Sequence, residues 1–146
     1  MKKNLKNKII TKSIFIILIP LILVMTFDLV FTLAGQPAYY WQNYSSYNEA
    51  NPLGQFLLSN SPFLFILVYS IYLIIVIFLV IKIPKPFNIM IYVGFFISHA
   101  WASASWLTEI LSRYFFIEIS DFFAGLIYFT IIAIISGFCF NKIKNI

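Results

Sequence analysis

Sulfur, charge and imidazole are all scarce in this chain. Cys139 stands alone in 146 residues, which excludes an intramolecular disulfide and any Cys-x-x-Cys metal or redox pair. We read it as a buried membrane thiol. Only 10% of the residues are charged, against 62% hydrophobic; a soluble domain carries about 25% charged and roughly 45–50% apolar residues. A soluble fold of this size could not hide so much apolar surface, so the surrounding solvent must be lipid. There is no P-loop, no nucleotide fingerprint, no HExxH spacing and no Ser-His-Asp order. The net charge of +5 does not point to nucleic acid, because the lysines fall in three clusters at the edges of apolar runs. No internal repeat, low-complexity linker or second domain is visible.

What is present is a set of long apolar runs. They predict an all-α bundle of four membrane-spanning helices over about 13–33, 62–81, 87–110 and 122–140, one integral membrane domain covering 1–146. Each run has the roughly 20 residues a span needs. The first follows a basic head, MKKNLKNKIITK, as a signal peptide would, but is long for the apolar core of one and right for a span, so both cleavage and retention stay open; Pro20 is expected to kink it. The head carries five lysines, the Lys82-Ile83-Pro84-Lys85-Pro86 turn two and the tail two. The two intervening loops together carry only Arg113. Cytoplasmic loops hold the excess of Lys and Arg. Both termini are therefore expected on the cytoplasmic side of the cell membrane, with the loop between the first two spans facing outward.

That loop is organised around aromatics and two helix-start signals. Tyr40, Tyr44 and Tyr47 fall at i, i+4 and i+7 beside Tyr39 and Trp41, which predicts a short helix lying in the headgroup layer. Asn51-Pro52 reads as an N-cap followed by proline at the first helical position, opening a short helix through about Leu58. Ser61-Pro62 repeats the signal for the second span.

Ionisable groups inside spans usually face a partner or a wet cavity. At 1.5 Å rise per residue, Asp28 lies roughly 24 Å along the first span, His99 roughly 18 Å along the third and Tyr69 roughly 10 Å below the outer end of the second. All three fall in the middle-to-outer part of the bilayer. Thr32 lies one turn beyond Asp28 on the same face. Three arrangements remain open: a buried Asp28–His99 pair that fixes packing, an outward-facing polar pocket that adds Glu49, or residues that never meet. The candidate pocket set is Asp28, Thr32, Glu49, Asn51, Tyr69, His99 and Ser103. It would suit a lipid headgroup or another small amphipathic ligand; a metal is the weaker option, since the ligand spacing is wrong. No cofactor and no reaction can be named from these residues. Gly94, Ser98, Ala102 and Ser105 fall within about 80° of one another on the third span. Such a small-residue stripe lets membrane helices pack closely. It predicts helix packing, within the chain or in a homo-oligomer or a complex with another membrane protein. That makes an accessory subunit the alternative function, and an oligomeric carrier or channel a further one. Glu109 and Arg113, one turn apart, are expected to pair.

Asp28-x-x-x-Thr32 late in the first span, followed by Glu49-x-Asn51-Pro52 before the second, resembles the pattern of an uncharacterised family of small bacterial four-helix membrane proteins. The resemblance covers the first half of the chain. It implies the same four-span architecture, and it implies that Asp28, Thr32, Glu49, Asn51 and Pro52 act as one outer-side constellation. This chain differs in the longer, aromatic-rich insert between the two motifs.

Overall fold

The computed structural model describes the backbone of residues 2–144 and the side chains of residues 13–142. The side chains of the basic head and of Lys144 lie outside the described residues. Among the described residues there are five α-helices: α1 (Lys2–Ala34), α2 (Pro52–Asn60), α3 (Pro62–Lys82), α4 (Phe87–Phe115) and α5 (Asp121–Lys144). Among the described residues there is no strand. α1, α3, α4 and α5 each contain a segment long and apolar enough to cross a membrane, Ser13–Ala34, Pro62–Lys82, Phe87–Phe115 and Asp121–Lys142. α2 is the short extra helix between the first two spans.

α1 and α4 pair at the centre, α3 packs on both from one side, and α5 packs on both from the other. α1 is the most enclosed of the four, and one stripe of its sequence explains why. Leu18, Leu21, Val24 and Met25 are all nearly inaccessible, at the three- and four-residue steps that put side chains on one helix face. The same stripe continues as Asp28 and Thr32, and Gln36, just past the end of α1, is buried as well. The centre of the bundle is therefore apolar at the Lys82 end and polar at the other. α1 runs as one unbroken helix through Pro20, which is itself buried. The outward surfaces of α3, α4 and α5 carry Phe63, Ile74, Ile89, Ile97, Phe122 and Phe138, all largely exposed, as a lipid-facing surface requires.

The start signals operate as read from the sequence. The Asn51 side chain accepts from the Leu53 and Gly54 amides with Pro52 at the first position of α2, and Ser61 accepts from Phe63 N ahead of Pro62. Two expectations change. The aromatic segment forms no surface α-helix; it makes two single 3-10 turns, Ala38–Trp41 and Tyr44–Ser46. The reason is Tyr40, which turns inward, is fully buried against Leu57, Leu58 and Phe65, and donates its hydroxyl to Leu58 O at 3.1 Å. A regular helix with all its rings in the headgroup layer could not also bury Tyr40. Tyr39, Trp41 and Tyr44 stay exposed. The third span also runs longer than expected, to Phe115, and ends at Phe116 in the left-handed region with φ 57°. Its extra turn carries Arg113 to the end of α1. There the guanidinium donates to Gly35 O and Gln36 O while Tyr114 donates to Ala34 O. A cation and a hydroxyl thus satisfy carbonyls that a helix C-terminus leaves unpaired.

Candidate functional site

Asp28, Tyr69 and His99 converge from three helices. α1 supplies Asp28 from its buried stripe, α3 supplies Tyr69 and Tyr72, and α4 supplies His99. His99 Nδ1 lies 2.6 Å from Asp28 Oδ2, with both side chains about nine-tenths buried. The Tyr69 hydroxyl sits 3.1 Å from the same Oδ2, 3.1 Å from Nδ1, and donates to Met25 O at 2.8 Å. On the far side of the ring, Tyr72 OH is 3.0 Å from Nε2. Phe95 stacks on the imidazole with centroids 6.2 Å apart. His99 is therefore held through both nitrogens and one face.

Protons in this cluster follow from donor and acceptor capacity. With Asp28 ionised, Nδ1–H donates to Oδ2 and the neutral ring accepts from Tyr72 at Nε2. If the ring takes a second proton, Nε2–H donates to the Tyr72 oxygen instead. A hydroxyl serves in both cases, so the geometry survives protonation of His99. Asp28 Oδ1 is buried with no hydrogen-bond partner among the described residues. A buried carboxylate oxygen left in that state retains unspent acceptor capacity.

Above the cluster lies a cleft of about 810 Å³. α1 lines it with Asp28 and Thr32, α3 with Phe65, Val68, Tyr69 and Tyr72, and α4 with Ser98, His99, Trp101, Ala102, Ser105, Trp106 and Glu109; residues from Asn48 to Leu57 form its roof. The roof is pinned by Gln36, a residue the sequence reading did not single out. Its amide donates to Asn48 O at 3.0 Å and to Thr32 O at 2.9 Å and accepts from Asn48 N at 2.8 Å. Glu49 follows directly. Its Oε1 accepts from Asn51 N at 2.8 Å, and its stem crosses Gly54 so closely that a Cβ there would fall 2.8 Å from Glu49 Cγ. Burial pushes the Glu49 carboxyl above its usual range; the Asn51 amide pulls it down and the Asp28 charge adds to the upward push.

Of the residues the sequence nominated, Asp28, Thr32, Glu49, Asn51, Tyr69 and His99 all line this cleft. Ser103 does not: its hydroxyl is turned to His99 O at 2.8 Å and Val24 O at 3.4 Å, in the α1–α4 contact. The small-residue stripe also behaves differently from the packing expectation. Inside the chain, the buried side of α4 is Ala100, Ser103 and Ala104. Ser98, Ala102 and Ser105 instead line the cleft, where short side chains leave room. A Cβ on Gly94 would meet nothing within 4 Å. Arg113 ion-pairs with Glu109 as expected. Its bonds to the end of α1 had no sequence signal, since they join residues 77 and 78 positions apart.

Among the described residues, no three His, Cys, Asp or Glu side chains come together as a metal centre would need. Asp28 and His99 supply two donors, and Glu49 accepts from the Asn51 amide through Oε1. No protein-family model, no curated protein and no solved structure matches this chain, and the cleft is therefore read from its own residues.

Proposed function

We propose that this protein binds the polar head of a lipid-like amphiphile in the cleft above Asp28 and His99. The observation that carries the reading is a hydrogen-bonded Asp28–His99–Tyr69–Tyr72 cluster at the floor of a large cleft in a chain otherwise poor in polar groups. Holding a buried charged residue in a span costs about 2.5–3.5 kcal/mol on insertion scales, a cost that packing alone would not require. Pockets of about 300–1,000 Å³ with an apolar wall and a few convergent polar groups suit small amphipathic ligands.

The lysine distribution supports an outward-facing cleft with both termini on the cytoplasmic side. The resemblance to small bacterial four-helix proteins fits the same reading, since Asp28, Thr32, Glu49 and Asn51, drawn from its two motifs, line one cleft. A partner-binding role through Gly94 ranks second; it rests on the open space over that glycine and predicts that Gly94→Leu abolishes association. Native mass spectrometry of the protein released from micelles tests the leading reading. Wild-type protein should retain an amphiphile that Ala102→Trp, which fills the cleft, loses while keeping its helical circular dichroism. Equal retention by both would sink it.

A further inference from the structure

The cleft has a sign and a continuation. Asp28, Glu49 and Glu109 line it, and among the described residues no Lys or Arg does. Arg113, the basic residue nearest in sequence to Glu109, is occupied by that carboxylate and by the end of α1. The amide donors of Leu53 and Gly54 at the start of α2 are taken by Asn51 Oδ1, so no free helix N-terminus is left for an anion. Phe65, Tyr69, Tyr72, Trp101 and Trp106 are among its lining residues, and aromatic rings attract cations within about 6 Å of their faces. At the floor, the nine-tenths-buried Asp28 carboxylate keeps an oxygen with no partner.

Ser98 borders a second cavity. An apolar groove of about 720 Å³ runs from Ser98 past Phe95, Gly94, Ile91 and Met90 to Phe87 and Ile83. Ser98 to Phe87 spans about 16 Å along the helix. Gly94 keeps the groove open, since nothing lies within 4 Å of where its Cβ would be. The polar cleft and the apolar groove therefore meet on one face of α4, in the order head then tail.

We infer that the ligand is a single-tailed cationic amphiphile, its ammonium head in the cleft among Glu49, Asp28 and the tryptophans and its tail along the Gly94 groove. This rests on the binding role proposed above. An anionic head would meet carboxylates with no cation to offset them. A neutral head would leave the Glu49 charge unused.

Titration of the purified protein in neutral micelles tests this, with Trp41→Phe so that Trp101 and Trp106 report the fluorescence. The probes are dodecyltrimethylammonium, dodecyl phosphate and dodecyl maltoside, which share one tail. The ammonium probe should half-saturate at about a tenfold lower concentration than the other two. Glu49→Gln should shrink that preference. Gly94→Leu should weaken all three alike and leave the preference intact; its side chain enters open space, so folding is preserved. If phosphate or maltoside binds as well as ammonium, the cationic assignment falls while the headgroup site stands. If Gly94→Leu changes nothing, the tail route falls. If no probe gives a saturable change, the headgroup site itself falls.

Discussion

Replacing His99 with Phe should destabilise the protein by about 3–5 kcal/mol, the cost of leaving a buried charge without its partner. Asp28 would keep only the Tyr69 hydroxyl at 3.1 Å, and that hydroxyl also serves Met25 O at 2.8 Å. Replacing Asp28 with Leu should cost less, about 1–3 kcal/mol, because His99 would keep Tyr72 at Nε2 and Tyr69 at Nδ1. The double variant is the informative one. With both polar groups gone, Phe can keep the stacking that His99 makes on Phe95, and apolar replacement of a buried ion pair is often neutral or better. We expect the double variant to cost about 0–2 kcal/mol, less than His99→Phe alone, and the coupling to reach at least about 2 kcal/mol. Ordinary interhelical hydrogen bonds in membranes average only about 0.6 kcal/mol, so the pair must be charge-assisted to reach that value. Reversible unfolding in mixed micelles of rising denaturing-detergent content measures all four proteins. A double variant whose cost equals the sum of the singles within about 0.5 kcal/mol would refute a coupled ion pair.

Three further outcomes follow from the geometry. Gly35→Ala would drive a Cβ into the Trp106 ring at Cε3 and to 3.0 Å from Phe31 O; overpacking of this kind costs about 1–3 kcal/mol, and a shift in tryptophan emission should accompany the lower midpoint as the ring moves. Gln36→Leu removes three hydrogen bonds of a buried side chain at about 1 kcal/mol each; hydrogen exchange should rise selectively at Asn48 to Asn51 as the roof loosens, and an unchanged roof would contradict the pinning role. The third concerns pH. The folded state raises the Glu49 pKa above its ordinary 4.5, so it favours the protonated carboxyl, and that contribution is complete below the ordinary value and lost as pH rises through the folded one. Glu49→Gln mimics the protonated form. The stability difference, variant minus wild type, should therefore grow as pH rises above the ordinary carboxylate range, with Asp28 from α1, Tyr69 and Tyr72 from α3 and His99 and Glu109 from α4 facing the same cleft in both proteins; a flat difference curve would remove the burial effect.

The arithmetic of apolar runs was enough to specify four spanning helices, because backbone polar groups in lipid must pair within their own segment and a helix does so regardless of its neighbours. Asn51-Pro52 and Ser61-Pro62 were legible for the same reason: a cap acts on amides two or three residues away. That Asp28, Tyr69 and His99 stand at compatible heights along their helices followed from helix rise alone, and so did the possibility that they could meet. Whether they did meet depended on how α1, α3 and α4 rotate about their axes, which side-chain packing between distant segments decides. That rotation turned Ser98, Ala102 and Ser105 into the wall of a cleft and sent Ser103 to the α1 contact. It also let Tyr40 and Gln36 anchor the loop from inside and brought Arg113 to the end of α1, because each of these bonds joins residues whose proximity exists only after the helices have assembled.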